Sequence, residues 1–178
     1  MPNTPNPPLN NHVFTIDIAA PRQRVWDEIT KTGRIQLALN NTVLESPMTP
    51  GSKLRYYSPN RKRVFVVGEI VEVTPPRRFS HTFKLLMNGA DAPSLVTWDL
   101  EETPAGCRVT LTHSGWTDQV KTHKGTAGGW RGILSVLKQQ LETGDIPLKT
   151  KVTYALMGAM MFMLPKATKV DEVAKAGW

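Results

Sequence analysis

His81 and His113 are the residues of this chain best suited to chemistry. Each falls in the same alternating phase as bulky apolar neighbours, His81 with Phe79, Phe83 and Leu85, and His113 with Val109 and Leu111. An imidazole facing an interior cavity can polarise a ligand carbonyl or take a proton near neutral pH. The same ring bonded to a backbone carbonyl is a packed core residue, and the spacing leaves both readings open. His123 is expected in the loop before a long helix and His12 before the first strand. Asp99 and Glu101 alternate with inward Trp98 and Leu100, so they should face water rather than form an acid/base pair. Glu69 either balances Arg55 inside or projects outward. Tyr57, Trp98, Trp116 and Trp130 offer aromatic area with a phenol or indole handle, the usual lining of a pocket for a planar or amphipathic molecule. With His81, Phe83, His113 and Leu134 they form the candidate binding set, although Trp98 and Trp130 would equally serve as core fillers.

Several chemistries are missing from the pattern. There is no HExxH, no paired-cysteine spacing, no nucleophile elbow, no phosphate-binding glycine loop and no dinucleotide fingerprint. No metal or cofactor is therefore expected. Cys107, the single cysteine, alternates with Val109 and Leu111 and reads as a small core thiol.

A chain of 178 residues is long enough for one domain with a sizeable core. Its 22 basic and 15 acidic residues leave a net charge of +7, which attracts anions but does not choose a partner. The basic residues cluster at Arg61–Arg63 and at Arg77 and Arg78, where strands should turn. No recognition helix or zinc-finger spacing accompanies them, so nucleic-acid binding is not expected. Residues 1–11 carry four prolines and neither a basic region nor an apolar stretch, which predicts a flexible lead-in and no secretory signal. A cytoplasmic location follows as the expectation. Tyr154 to Leu164 is uncharged, but eleven residues at about 1.5 Å each cannot cross a bilayer core of about 30 Å. Packing against the domain, a peripheral membrane contact and self-association remain open for this segment.

Positioning these groups requires a sheet and one long helix. Alternation predicts strands over Val13–Ala19, Leu54–Tyr57, Arg63–Val73, Phe79–Leu85, Leu95–Glu101 and Arg108–His113. Arg63–Val73 is apolar on both phases, and Gly68 fits a bend or bulge there. After the first strand, Pro21 opens a short helix with Val25, Trp26 and Ile29 on its apolar side, and a second short helical piece is expected over Ile35–Leu39. Short links between the strands favour antiparallel pairing. Lys124–Gly144 reads as the long amphipathic helix, with Trp130, Ile133, Leu134, Leu137 and Leu141 on one face and Gly144 past its end. Gly125, Gly128 and Gly129 should loosen its first turns or let it approach the sheet.

The segments IAAPRQRVWDEIT, GEIVEVTPPRRF and CRVTLTHSGW, followed by GGWRGILSVLKQQLETG, occur in an order that resembles the START-like (SRPBCC) helix-grip superfamily. Within it, the resemblance is to the activator of heat-shock-protein-90 ATPase homologue and polyketide cyclase-like group. It covers about residues 12 to 144 and implies an α+β fold, a curved antiparallel sheet wrapped around a long carboxyl-terminal helix with a hydrophobic pocket between them. Residues 145–178 would then be an extension with a short apolar helix. Gly33–Leu39 lacks the tryptophan-containing motif common in that group. Members include lipid carriers, aromatic polyketide cyclases, hormone-binding proteins and the chaperone activator, so the shared cavity does not define a shared reaction. Three functions are carried forward: noncatalytic binding of a hydrophobic or aromatic small molecule, a cyclase or hydrolase-like enzyme using a cavity histidine, and a chaperone-associated protein-interaction module.

Overall fold

The computed structural model describes residues 9–89, 91–117 and 120–178; the expected lead-in over residues 1–11 lies mostly outside the described residues. The strands are β1 (His12–Ile18), β2 (Ile35–Gln36), β3 (Thr42–Glu45), β4 (Lys53–Tyr57), β5 (Val64–Thr74), β6 (Arg78–Leu85), β7 (Ser94–Thr103) and β8 (Gly106–Ser114). The helices are α1 (Arg22–Thr30), α2 (Val120–Thr143), α3 (Leu148–Ala159) and α4 (Val170–Lys175). Strands β2 to β8 form an antiparallel meander, and β1 closes on β8 to give the order β1-β8-β7-β6-β5-β4-β3-β2. The result is the α+β helix-grip arrangement, a curled sheet holding α2.

Period-two alternation explains most of the inner face. Val96, Trp98 and Leu100 of β7, and Cys107, Val109, Leu111 and His113 of β8, are all buried. From α2, Trp130, Ile133, Leu134, Leu137 and Leu141 meet them, so the helical stripe and the sheet face close one core. Val25, Trp26 and Ile29 of α1 join the same core. Gly144, at φ +81°, ends α2 with its N–H on the Gln140 carbonyl, 2.9 Å away.

Two expected elements differ, and β3 and α4 have no counterpart among the elements read from the sequence. Ile35–Leu39 is not helical: Ile35 and Gln36 pair with β3, and the Gln36 side-chain amide donates to the carbonyls of Glu28 and Ile29 at 3.0 and 3.1 Å. Those carbonyls end α1 without intrahelical partners, and a glutamine that satisfies them is drawn into extended structure beneath the helix. The long helix also starts earlier, at Val120, which makes His123 helical. The Thr126 hydroxyl donates to the Thr122 carbonyl at 2.8 Å, and the Thr122 hydroxyl accepts from Asn88 Nδ2 and donates to the Asp91 carboxylate.

Strand β5 is where simple alternation fails. The pairs Tyr56↔Val66 and Tyr57↔Val64 leave Phe65 as an extra residue opposite β4. Val64 consequently turns to the outer face, where it joins Val67 in a second cluster with Leu86 and Val173, flanked by Tyr57, Val170 and Trp178. Gly68 is required by close approach, since a Cβ there would lie 1.9 Å from the Thr82 carbonyl oxygen. Glu69 projects outward into solvent.

The segment after α2 wraps this sheet edge. Tyr154 donates to the Leu37 carbonyl at 2.8 Å, and Arg63 Nη1 reaches the Pro165 carbonyl at 3.3 Å and the Thr168 hydroxyl at 3.1 Å. Val173 of α4 then docks in the outer cluster. Arg63, expected with its basic neighbours where strands turn, holds this strap in place, while Arg61 pairs with Glu45 at 2.6 Å. Arg78 bridges Glu72 and Asp99, and Arg108 bridges Asp17, so charges on the convex face largely neutralise one another.

Candidate ligand cavity

Between the sheet and α2 lies a cavity of about 550 Å³. Tyr56 and Val66 line it from β4 and β5, His81 and Phe83 from β6, and Trp130 and Ile133 from α2. Gly125 and Gly129 line it as well, and a Cβ built on either meets nothing within 4 Å. Missing side chains on one helical face thus leave the space open. Met157, Met160, Met161 and Leu164 of the strap form the remaining wall, and Asn40, Met87 and Lys121 lie at its exposed margin.

His81 Nδ1 lies 2.8 Å from the Thr82 carbonyl oxygen, which can only accept, so the ring is the Nδ1–H tautomer. Nε2 is left as an acceptor without a protein partner among the described residues. Burial lowers the His81 pKa to about 4, against a smaller opposing effect of the Thr82 bond. The Tyr56 ring stands 6.0 Å from it, and burial pushes the phenol far above its ordinary pKa. At neutral pH both groups are uncharged, one a donor and acceptor, the other an acceptor. No carboxylate lines the cavity among the described residues.

His113 is placed differently. Trp130 Nε1, which can only donate, lies 2.8 Å from His113 Nδ1; Nε2 therefore carries the proton and donates to Ser94 Oγ at 2.7 Å. The Ser94 hydroxyl passes the chain on to the Phe83 carbonyl at 3.1 Å. Both ring nitrogens are occupied, leaving no lone pair for a substrate. Burial first, then the neighbouring histidines His12, His81 and His123, lowers the His113 pKa to about 3. The ring orients Trp130, which in turn forms the cavity wall.

Of the eight predicted binding residues, His81, Phe83 and Trp130 line the cavity. Trp98 and Leu134 pack in the core, with Trp98 meeting Trp130 edge-on at 5.9 Å. His113 supports Trp130 from behind. Trp116 stacks on His113 at 4.1 Å and donates its indole N–H to the His113 carbonyl, among the His12 and His123 rings. Tyr57 lies on the outer cluster and does not reach the cavity. Its neighbour Tyr56 is the inward tyrosine, and the alternation Leu54 in, Arg55 out, Tyr56 in carried that signal. The strap methionines lie far away in sequence, and no local pattern could have placed them. Among the described residues no group of three or more histidine, cysteine or carboxylate side chains converges on a point.

Residues 19–142 match the family model described as Activator of Hsp90 ATPase homolog 1-like protein. The chain belongs to this family. No curated protein matches the chain. Among solved structures, a Mesorhizobium loti protein is similar at TM-score 0.65 and 22% identity, covering 77% of this chain and 100% of that one. The Aha1 dimer from Colwellia psychrerythraea is similar at TM-score 0.62 and 18% identity, covering 77% and 99%. CalU16 from Micromonospora echinospora is similar at TM-score 0.60 and 18% identity, covering 86% of this chain and 87% of that one. The family match ends within α2, so the strap that walls the cavity lies beyond it.

Proposed function

We propose that this family member binds a hydrophobic or aromatic small molecule in the cavity between the sheet and α2, without turning it over. The observation that carries this reading is a largely apolar space of about 550 Å³ in which Tyr56 and His81 are buried, uncharged polar groups. Such a volume suits a drug-sized molecule, and a few convergent polar groups in an apolar lining fix orientation. A phenol beside an imidazole acceptor favours a neutral ligand with a hydroxyl or carbonyl group. Native mass spectrometry should show a molecule that leaves on unfolding, or uptake of the neutral probe N-phenylnaphthylamine. Tyr56→Phe should weaken binding about tenfold, the worth of one hydrogen bond to a buried site. A protein that arrives empty and takes up no apolar probe refutes the proposal.

The free Nε2 of His81 favours an enzyme of the cyclase or hydrolase type as the second reading. In that case His81→Gln abolishes turnover and leaves affinity largely intact. The absence of a carboxylate beside the ring among the described residues, and its low pKa, make it a weak base and place binding first.

A further inference from the structure

We propose that the outward face of the strap, residues 146–169, is a docking surface for an anionic membrane. Leu148, Val152 and Leu156 recur every fourth residue along α3 and are 76%, 53% and 60% exposed. Beyond the helix, Phe162 is 78% and Met163 65% exposed, which adds two large apolar side chains to the surface of this segment. Large apolar side chains exposed together on one segment mark an interaction site.

Charge identifies the occupant. Between residues 146 and 170 there are four lysines, Lys149, Lys151, Lys166 and Lys169, and no aspartate or glutamate. Asp145 stands just before this stretch, and Asp171 and Glu172 just after it. Lys151 pairs with Asp145 at 2.7 Å; Lys149, Lys166 and Lys169 form no ion pair among the described residues, and Lys166 and Lys169 lie near enough to Glu172 to add to the pull of Lys175 on its carboxylate. The convex face of the sheet is the contrast, its arginines bridged to carboxylates. An apolar stripe flanked by exposed lysines is the pattern of a helix that lies in the interface of an anionic bilayer. A second copy fits poorly, because a two-fold contact would bring the same lysines against one another. Spanning is excluded for α3, whose twelve residues reach about 18 Å against a hydrocarbon core of about 30 Å.

The inner side of the same segment walls the cavity through Met157, Met160, Met161 and Leu164. Docking would therefore bring the cavity wall to the lipid surface, although the proposal stands whether or not the cavity holds a ligand.

Flotation with phosphatidylcholine vesicles, with and without phosphatidylglycerol, tests it. The full chain should bind the anionic vesicles at least about tenfold more tightly than the neutral ones, with binding lost as salt is raised. Phe162→Ser combined with Met163→Ser should weaken binding at least about tenfold, the loss expected on removing apolar groups from the interface. Lys149→Glu combined with Lys166→Glu should abolish the preference for phosphatidylglycerol. These side chains are exposed, so unchanged thermal melts show that the fold is intact. Equal binding to both vesicle types overturns the proposal. So do variants that bind like the unaltered chain, or a solution dimer that Phe162→Ser dissociates while vesicle binding persists.

Discussion

Acidification should destabilise this protein from about pH 6.5 downward, above the range in which carboxylates titrate, because two buried histidines are held neutral. His81 falls from 6.5 to about 4 and His113 from 6.5 to about 3, in both cases chiefly through burial. Below pH 6.5 the unfolded chain takes up protons at these rings and the folded chain does not. The stability they contribute is full above pH 6.5 and declines as pH falls towards the folded values. Each site lowers stability by about 1.4 kcal/mol per pH unit, or about 4 kcal/mol for the pair on going down to about pH 5. That is a large share of the roughly 5–15 kcal/mol of a typical domain. His12, lowered by burial and then by His123 and Arg131, adds to the slope. Urea unfolding at a series of pH values gives the slope directly. His81→Gln and His113→Gln should each flatten it by about 1.4 kcal/mol per pH unit, since each removes one linked proton. In the second variant the amide can still accept from Trp130 and donate to Ser94. A slope that neither substitution changes would refute the assignment of two buried neutral imidazoles.

Gly129→Ala should stabilise α2 by about 0.5–1 kcal/mol in chemical denaturation, because its methyl group meets nothing within 4 Å. Gly129→Leu should keep the fold yet displace the N-phenylnaphthylamine probe, and undiminished uptake would show that the cavity is not its site. Gly68→Ala should destabilise by about 3 kcal/mol, the upper range for overpacking, since its Cβ would meet backbone rather than a side chain that can move. A melting temperature unchanged by that substitution would show that β5 and β6 can separate at this point.

The sheet and the long helix were legible because each has a strong period of its own. Val96, Trp98 and Leu100 alternate on β7, while Trp130, Ile133, Leu137 and Leu141 recur at three and four residues on α2, and all are buried. Period-two and period-3.6 patterns are properties of neighbouring residues, and the chain carries them wherever it folds. His81 was legible as an inward residue for the same reason. Its chemistry was not, because the tautomer depends on the Thr82 carbonyl, and the contrasting fate of His113 depends on Trp130, seventeen residues away in α2.

What the sequence by itself determined is therefore the long helix, the main strands and, β5 apart, the inner faces of those strands. Tertiary structure decided which side chains border empty space. The extra residue at Phe65 turned Val64 to the outer face beside Val67 and left Phe65 to line the cavity next to Val66. The strap brought Met157, Met160 and Met161 over a gap left by Gly125 and Gly129. Register shifts and long-range docking are set by the packing of whole elements, so no window of local sequence contains them.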